Sequence, residues 1–178
     1  MMTMAAVILG GNGDRAQQVL ARAEALLADG AGRIAARSSL WRTEAWGFDG
    51  PDFLNRVLVL ETDLEPEALL DRLQAVENAL GRDRRDEARR KALTGNRYAE
   101  RPIDIDLLLY GDSTICTPRL TVPHPLLHER AFVLEPLCEV LPAAVHPQTG
   151  DTISQMAAYI RQKGGPAVEK VTKNEQKR

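Results

Sequence analysis

Two aspartates one residue apart, Asp104 and Asp106, are the side chains of this sequence whose type and spacing most directly suggest chemistry. They lie in Arg101-Pro102-Ile103-Asp104-Ile105-Asp106-Leu107-Leu108-Leu109-Tyr110. Its β-branched and aromatic residues and its alternation predict a strand. Pro102 is tolerated at the first position of such a strand. Side chains two apart on a strand share a face, so the two carboxylates stand roughly 6–7 Å apart at their Cα atoms. Carboxylates that close repel each other unless a cation lies between them. Oxygen ligands of this kind suit Mg²⁺, which takes one or two carboxylates together with the phosphates of a substrate. A bare Asp-x-Asp also fits a strand end with two solvated carboxylates, so the flanking segments must decide.

The segment before the strand is the most polar of the chain. Arg82, Arg84, Arg85, Arg89, Arg90, Lys91, Arg97 and Arg101 stand against Asp83, Asp86, Glu87 and Glu100. With Gly95 and Asn96 and almost no apolar face, it predicts a mobile loop able to close over a ligand. Charge runs are usually solvated. This one leads straight into the paired aspartates, so forked arginine donors and a metal ion could meet on the same phosphate oxygens. That pairing is what phosphoryl transfer requires. A second loop, Glu44 to Asp52, carries Trp46 and Phe48 on either side of Gly47 in a chain that is 4% aromatic. It reads either as a wall for a flat ligand or as a plug over the core.

The elements that must position these groups follow from periodicity. Ala5 to Leu9 is a short apolar strand, and Gly10-Gly11-Asn12-Gly13 a turn cluster. Asp14 is the expected cap of a helix from Arg15 to Ala28, stopped by Asp29-Gly30. The glycines match neither a Walker spacing nor Gly-x-Gly-x-x-Gly, so a plain strand-to-helix turn is expected. Arg33 to Thr43 and Phe53 to Thr62 predict strands. Pro66 opens a helix whose apolar face is Leu69, Leu70, Leu73, Val76 and Leu80, closed by Gly81. After the aspartate strand, Thr114 to Val122 suggests a small hairpin. Glu129 to Leu141 suggests a helix interrupted early by Pro136, and Thr152 to Lys163 another helix. Residues 1–163 are expected to form one domain, and 164–178 a disordered charged tail. The order β-α-β-β-α-β is that of a ferredoxin-like plait, an α+β fold with an antiparallel sheet and both helices on one face, here with a C-terminal helical extension.

A chain of 178 residues with a net charge of −2 allows one sizeable core and gives no global field for nucleic acid or membrane. Cys116 and Cys138 lack metal or redox spacing. His124 and His128 are separated by four positions but interrupted by Pro125, which argues against a zinc site. No signal peptide or membrane span is expected, and a cytoplasmic monomer is the default.

Several ordered blocks resemble the 6-hydroxymethyl-7,8-dihydropterin pyrophosphokinases of the folate pathway. These are Gly10-Gly11-Asn12, Ser38-Ser39-Leu40-Trp41-Arg42-Thr43, Pro51-Asp52-Phe53-Leu54-Asn55, Gln74 with Glu77, Gly81-Arg82, Arg101 with Asp104-Ile105-Asp106, Arg119 to His124, and Arg130 to Leu137. The resemblance implies transfer of the terminal diphosphate of ATP to the pterin hydroxymethyl group, with release of AMP. It implies that Asp104 and Asp106 hold two Mg²⁺ ions, with Arg82 and Arg101 beside the reacting phosphates. Phe53 and Phe132 would stack on the pterin, and Asn55 would read its polar edge, helped by Thr43 and backbone at Glu44 and Trp46. Gln74, Glu77, Arg82, Arg101, Ile105, Arg119, Thr121, His124 and Arg130 match nucleotide-contact positions. Which of Arg84, Arg85, Arg89 or Arg90 meets ATP stays open. Two other classes fit a plait: a different Mg²⁺-dependent nucleotidyl enzyme, which would leave Phe53, Asn55 and Phe132 without a purpose, and an RNA-binding module, which would display more aromatic and basic residues on its strands.

Overall fold

The computed structural model describes residues 1–44, 51–82, 85, 88, 89, 92, 93, 102–173 and 175. The expectations for Trp46, Phe48, Arg84, Arg90, Lys91, Arg97 and Arg101 lie outside the described residues. Five long elements carry the plait: β1 (Thr3–Asn12), α1 (Ala16–Gly30), β4 (Phe53–Thr62), α2 (Pro66–Ala79) and β5 (Asp104–Tyr110). Between α1 and β4 lie β2 (Arg33–Arg37) and β3 (Trp41–Thr43). After β5 come a two-stranded ribbon, β6 (Ile115–Cys116) with β7 (Thr121–Val122), then α3 (Ala131–Val140), α4 (Ile153–Lys163) and β8 (Val168–Lys170). The main sheet is antiparallel in the order β5-β1-β4-β3-β8, with β2 also on β4.

The sheet is covered on both faces, which is why β1 and β4 read as near-continuous apolar runs. One face packs Ala5, Val7, Leu9, Leu58 and Leu60 against Leu20, Leu27, Leu69 and Leu73 of α1 and α2. The other packs Ala6, Ile8, Val57 and Leu108 against Val133, Leu134, Leu137 and Met156 of α3 and α4. The helical extension therefore forms a third layer. A bulge places Leu108 as an extra residue of β5, since Ala6 pairs with Leu109 but Val7 with Leu107.

The structure corrects several expectations. Gly10, Gly11 and Asn12 continue β1 in place of a turn, because β4 pairs with them as far as Asn12 opposite Phe53. Arg15, without a side-chain cap, replaces Asp14 at the head of α1. The single strand expected over 33–43 is two strands. Ser38 intervenes, its Oγ donating to the Ser39 carbonyl and accepting from the Val57 N–H, and one extra residue enters between the Arg37–Leu58 and Trp41–Asn55 pairs. Pro136 lies inside an unbroken α3 and is buried, and this burial offsets the one lost helical hydrogen bond. Arg85, Ala88, Arg89, Ala92 and Leu93 have helical backbone within the segment expected to be a loop. The tail expected to be disordered supplies β8, paired with β3, and Val171 is buried in the first core. The open edge of β3 gives the backbone of 168–170 a partner, and the apolar Val171 that follows enters the core.

Candidate active site

The sheet face that carries the α3 and α4 core turns polar at its far end. In antiparallel pairing, residues directly opposite share a face. Gly10 lies opposite both Asn55 and Asp104, Ile8 opposite Asp106, Trp41 opposite Asn55, and Phe53 opposite both Asn12 and Thr43. Since alternate residues of a strand share a face, Asn12, Trp41, Thr43, Phe53, Asn55, Asp104 and Asp106 all belong to the face onto which α3 packs. Phe132, in the first turn of α3, lies against that core with the Arg130 guanidinium 5.5 Å from its ring centroid. The pterin candidates Thr43, Phe53, Asn55 and Phe132 and the metal candidates Asp104 and Asp106 thus share one side of one sheet end.

The floor is close-packed. A Cβ on Gly10 would stand 2.7 Å from Asn55 Oδ1, so only glycine lets the Asn55 amide lie across β1. Asn55 is 6% exposed and Thr43 8%. Thr43 Oγ1 and Asn12 Nδ2 are buried and have no hydrogen-bond partner among the described residues. Buried polar groups are normally satisfied; two unmet ones flanking Phe53 mark a surface made to be completed by a polar ligand.

Behind the carboxylates, the C-terminus of α2 sets a buried ion pair. Gly81, at φ +95°, ends the helix with Gly81 N–H bonded to the Asn78 carbonyl and Arg82 N–H to that of Glu77. This Schellman turn throws Arg82 back along the helix. Its Nη1 donates to Glu77 Oε2 and, at 2.7 Å, to Asp104 Oδ1. Glu77 is fully buried and also accepts from the Ile105 N–H at 3.2 Å. Glu77 is therefore an anchor for Arg82 and β5 beneath the site.

Burial, reinforced by the charges of Asp104 and Glu77, pushes the Asp106 carboxyl up to about 6, with Arg130 and Arg82 opposing. His124 Nε2 stands 4.0 Å from Asp106 Oδ2, and His124 Nδ1 accepts from the Leu126 N–H. That bond puts the neutral ring's proton on Nε2, facing the carboxylate. Burial and then Arg130 hold the His124 imidazole below its ordinary value. Among the described residues no cluster of three or more His, Cys, Asp or Glu side chains could enclose a metal ion. The two aspartates, partly exposed at 40% and 38%, are instead an open pair that leaves coordination positions for a ligand's oxygens.

The remaining nucleotide candidates form a second group. Arg119 is exposed and pairs with Glu67 and Asp71 on the outer stripe of α2. Gln74 continues that stripe one turn on, at helical spacing toward Glu77. Thr121 is exposed on β7, between Arg119 and His124 in sequence. Glu44 is exposed at the end of β3. Trp41 was not among the sequence candidates, and Gly10 and Asn12 entered only through a shared motif. The register with Phe53 and Asn55, which a sequence alone does not give, brings them to the floor.

Residues 6–142 match the family model of 7,8-dihydro-6-hydroxymethylpterin-pyrophosphokinase (HPPK). The chain belongs to the HPPK family. It is 38% identical over 170 residues to a 2-amino-4-hydroxy-6-hydroxymethyldihydropteridine pyrophosphokinase of Methylorubrum extorquens, covering 94% of this chain and 100% of that protein. It is 39% identical over 157 residues to the protein of the same name from Synechocystis sp., covering 88% and 75%. In fold it is similar to the wild-type HPPK-DHPS of Plasmodium falciparum, with a TM-score of 0.72 and 15% identity over 92% of this chain. This HPPK chain spans about 45% of the length of that larger protein. No helix among its described residues is long and apolar enough to cross a membrane.

Proposed function

We propose that the chain transfers the pyrophosphoryl group of ATP to the hydroxymethyl oxygen of 6-hydroxymethyl-7,8-dihydropterin, giving AMP and the pterin diphosphate. The hydroxymethyl oxygen bonds to the β-phosphorus and gives up its proton to solvent, the bond from that phosphorus to the oxygen bridging the α-phosphate breaks, and AMP departs with that oxygen. The observation that carries this reading is the juxtaposition, on one sheet face, of two neighbouring carboxylates, one of them held above its ordinary value by burial, and of buried polar groups left unmet beside Phe53.

In this reading Phe53 and Phe132 stack on the pterin. Asn55 and Thr43 read its polar edge, so a heterocycle with the wrong edge leaves buried groups unpaired. Asp104 and Asp106 would hold two Mg²⁺ ions, which would supply positive charge to offset the charge that develops during transfer. The raised Asp106 carboxyl fits this role, since a divalent cation would offset the burial that chiefly raises it and the added repulsion from Asp104 and Glu77. Arg82, held by Glu77, presents fixed positive charge beside Asp104, while Arg130 and the His124 Nε2–H face Asp106. Gln74, Arg119 and Thr121 line the nucleotide's approach along α2. Arg101 and the backbone at Glu44, Ile105 and Trp46 complete the contacts that family membership suggests.

We further propose one catalytic domain, extended beyond the expected 1–163 to take in β8 and Val171, acting as a cytoplasmic monomer. The test is AMP formation from ATP with and without the pterin, in Mg²⁺ and in EDTA. Pterin-dependent AMP, lost in EDTA and in Asp104→Ala and Asp106→Ala, is the expected result. AMP release indifferent to pterin, or activity surviving both substitutions, would overturn it.

A further inference from the structure

Glu139 lies near the end of α3, outside every group assigned above. Its Oε1 accepts from the Ser39 N–H at 3.0 Å and from the Ser39 hydroxyl at 2.7 Å; its Oε2 accepts from Trp41 Nε1–H at 2.9 Å. One carboxylate on a helix thus takes three donors from the start of a three-residue strand. On the other side of that strand, β8 pairs with it from Trp41 to Thr43, and the Val171 N–H donates to the Leu40 carbonyl. Lys170 joins the two devices, its Nζ 5.3 Å from the Trp41 ring centroid and 4.0 Å from Glu139 Oε1.

The strand and the helix so joined are the two walls of the pterin slot. Thr43 ends β3 opposite Phe53. Phe132 stands seven residues before Glu139 on α3, two turns away and on the same side of the helix, roughly 10 Å along its axis. Apolar packing alone would let a short strand slide or twist against the helix. A carboxylate with directed bonds to Ser39 and Trp41 fixes orientation as well as distance.

We propose that Glu139 is a positioning residue for pterin binding, setting the spacing of Thr43 and Phe132 through Ser39 and Trp41. This rests on the pterin-pocket assignment made above. The experiment measures binding of 6-hydroxymethyl-7,8-dihydropterin in the presence of a nonhydrolysable ATP analogue, and of the analogue alone. Glu139→Gln, which turns an amide toward Trp41 Nε1–H, should weaken pterin binding about tenfold, the scale of one charged hydrogen bond, with the affinity for the analogue alone unchanged. Trp41→Phe keeps a ring and removes the donor; it should reproduce the shift, and Glu139→Gln should add little in its background. It also carries the test if Glu139→Gln fails to fold. A lower Tm with pterin affinity within twofold of wild type in Trp41→Phe would overturn the proposal and leave a purely structural tie. Asn55→Ala serves as a separate arm: wild-type pterin affinity in that variant would overturn the pocket assignment itself.

Discussion

The closest approach in the site gives its sharpest test. Replacing Gly10 by alanine puts a Cβ 2.7 Å from Asn55 Oδ1, inside the distance at which a carbon and an oxygen can rest. Gly10 is paired on both sides, with Asn55 and Asp104, so its backbone cannot retreat. Asn55 must move, and at 6% exposure it has little room to turn its amide and still meet a ligand. Losing one buried polar contact leaves its partner unsatisfied at about 1–3 kcal/mol, which is roughly a 5- to 150-fold loss in pterin affinity. Neither residue belongs to the proposed nucleotide contacts, so ATP binding should stay at the wild-type level. The assay is calorimetric titration of each ligand against wild type, Gly10→Ala, Asn55→Ala and the double variant. Because the clash needs the Asn55 side chain, Gly10→Ala should cost little in the Asn55→Ala background. A folded Gly10→Ala protein with unchanged pterin affinity, or equal losses for both ligands, would refute the reasoning.

The raised Asp106 carboxyl predicts a stability effect of definite sign. Its folded value of about 6 lies above the ordinary 3.8, so ionisation opposes folding, and the stability it contributes is complete below about pH 4 and lost as pH rises through 6. Asp106→Asn should therefore raise the Tm of the metal-free protein at pH 7.5 but not at pH 3.5, while abolishing AMP formation; a lower Tm at pH 7.5 would contradict this. Arg82→Ala leaves fully buried Glu77 without the guanidinium that pairs with it. Urea unfolding should show a loss of about 3–5 kcal/mol, partly restored by adding Glu77→Leu, and a loss under 1 kcal/mol would count against a buried pair.

The plait was legible because its long elements carry strong periodicity. Phe53–Thr62 was bounded correctly, and Thr152, expected to start the last helix, caps it by exchanging bonds with Gln155. The carboxylate pair was legible because spacing along one strand needs no tertiary information. What stayed hidden depends on register or on partners far away in sequence. Glycines at 10 and 11 look like a turn until β4 pairs with both and β5 with Gly10. Ser38 looks like one more strand residue until its hydroxyl meets the Val57 backbone. The tail looks too charged to fold until the open edge of β3 gives its backbone a partner. Glu139 resembles any surface acid of a helix, since its donors lie 100 and 98 residues away.

One strand, β1, runs from oil into chemistry. At Ala6 and Ile8 its side chains need only fit; two residues later the same face must hold amides and carboxylates, and Asp106 faces Ile8 across the seam. Charge at that boundary is thinly hydrated on one flank and open on the other. On the proposed metal assignment, substitutions that trim the greasy side by a methyl group or two should therefore be felt as weaker grip on cations.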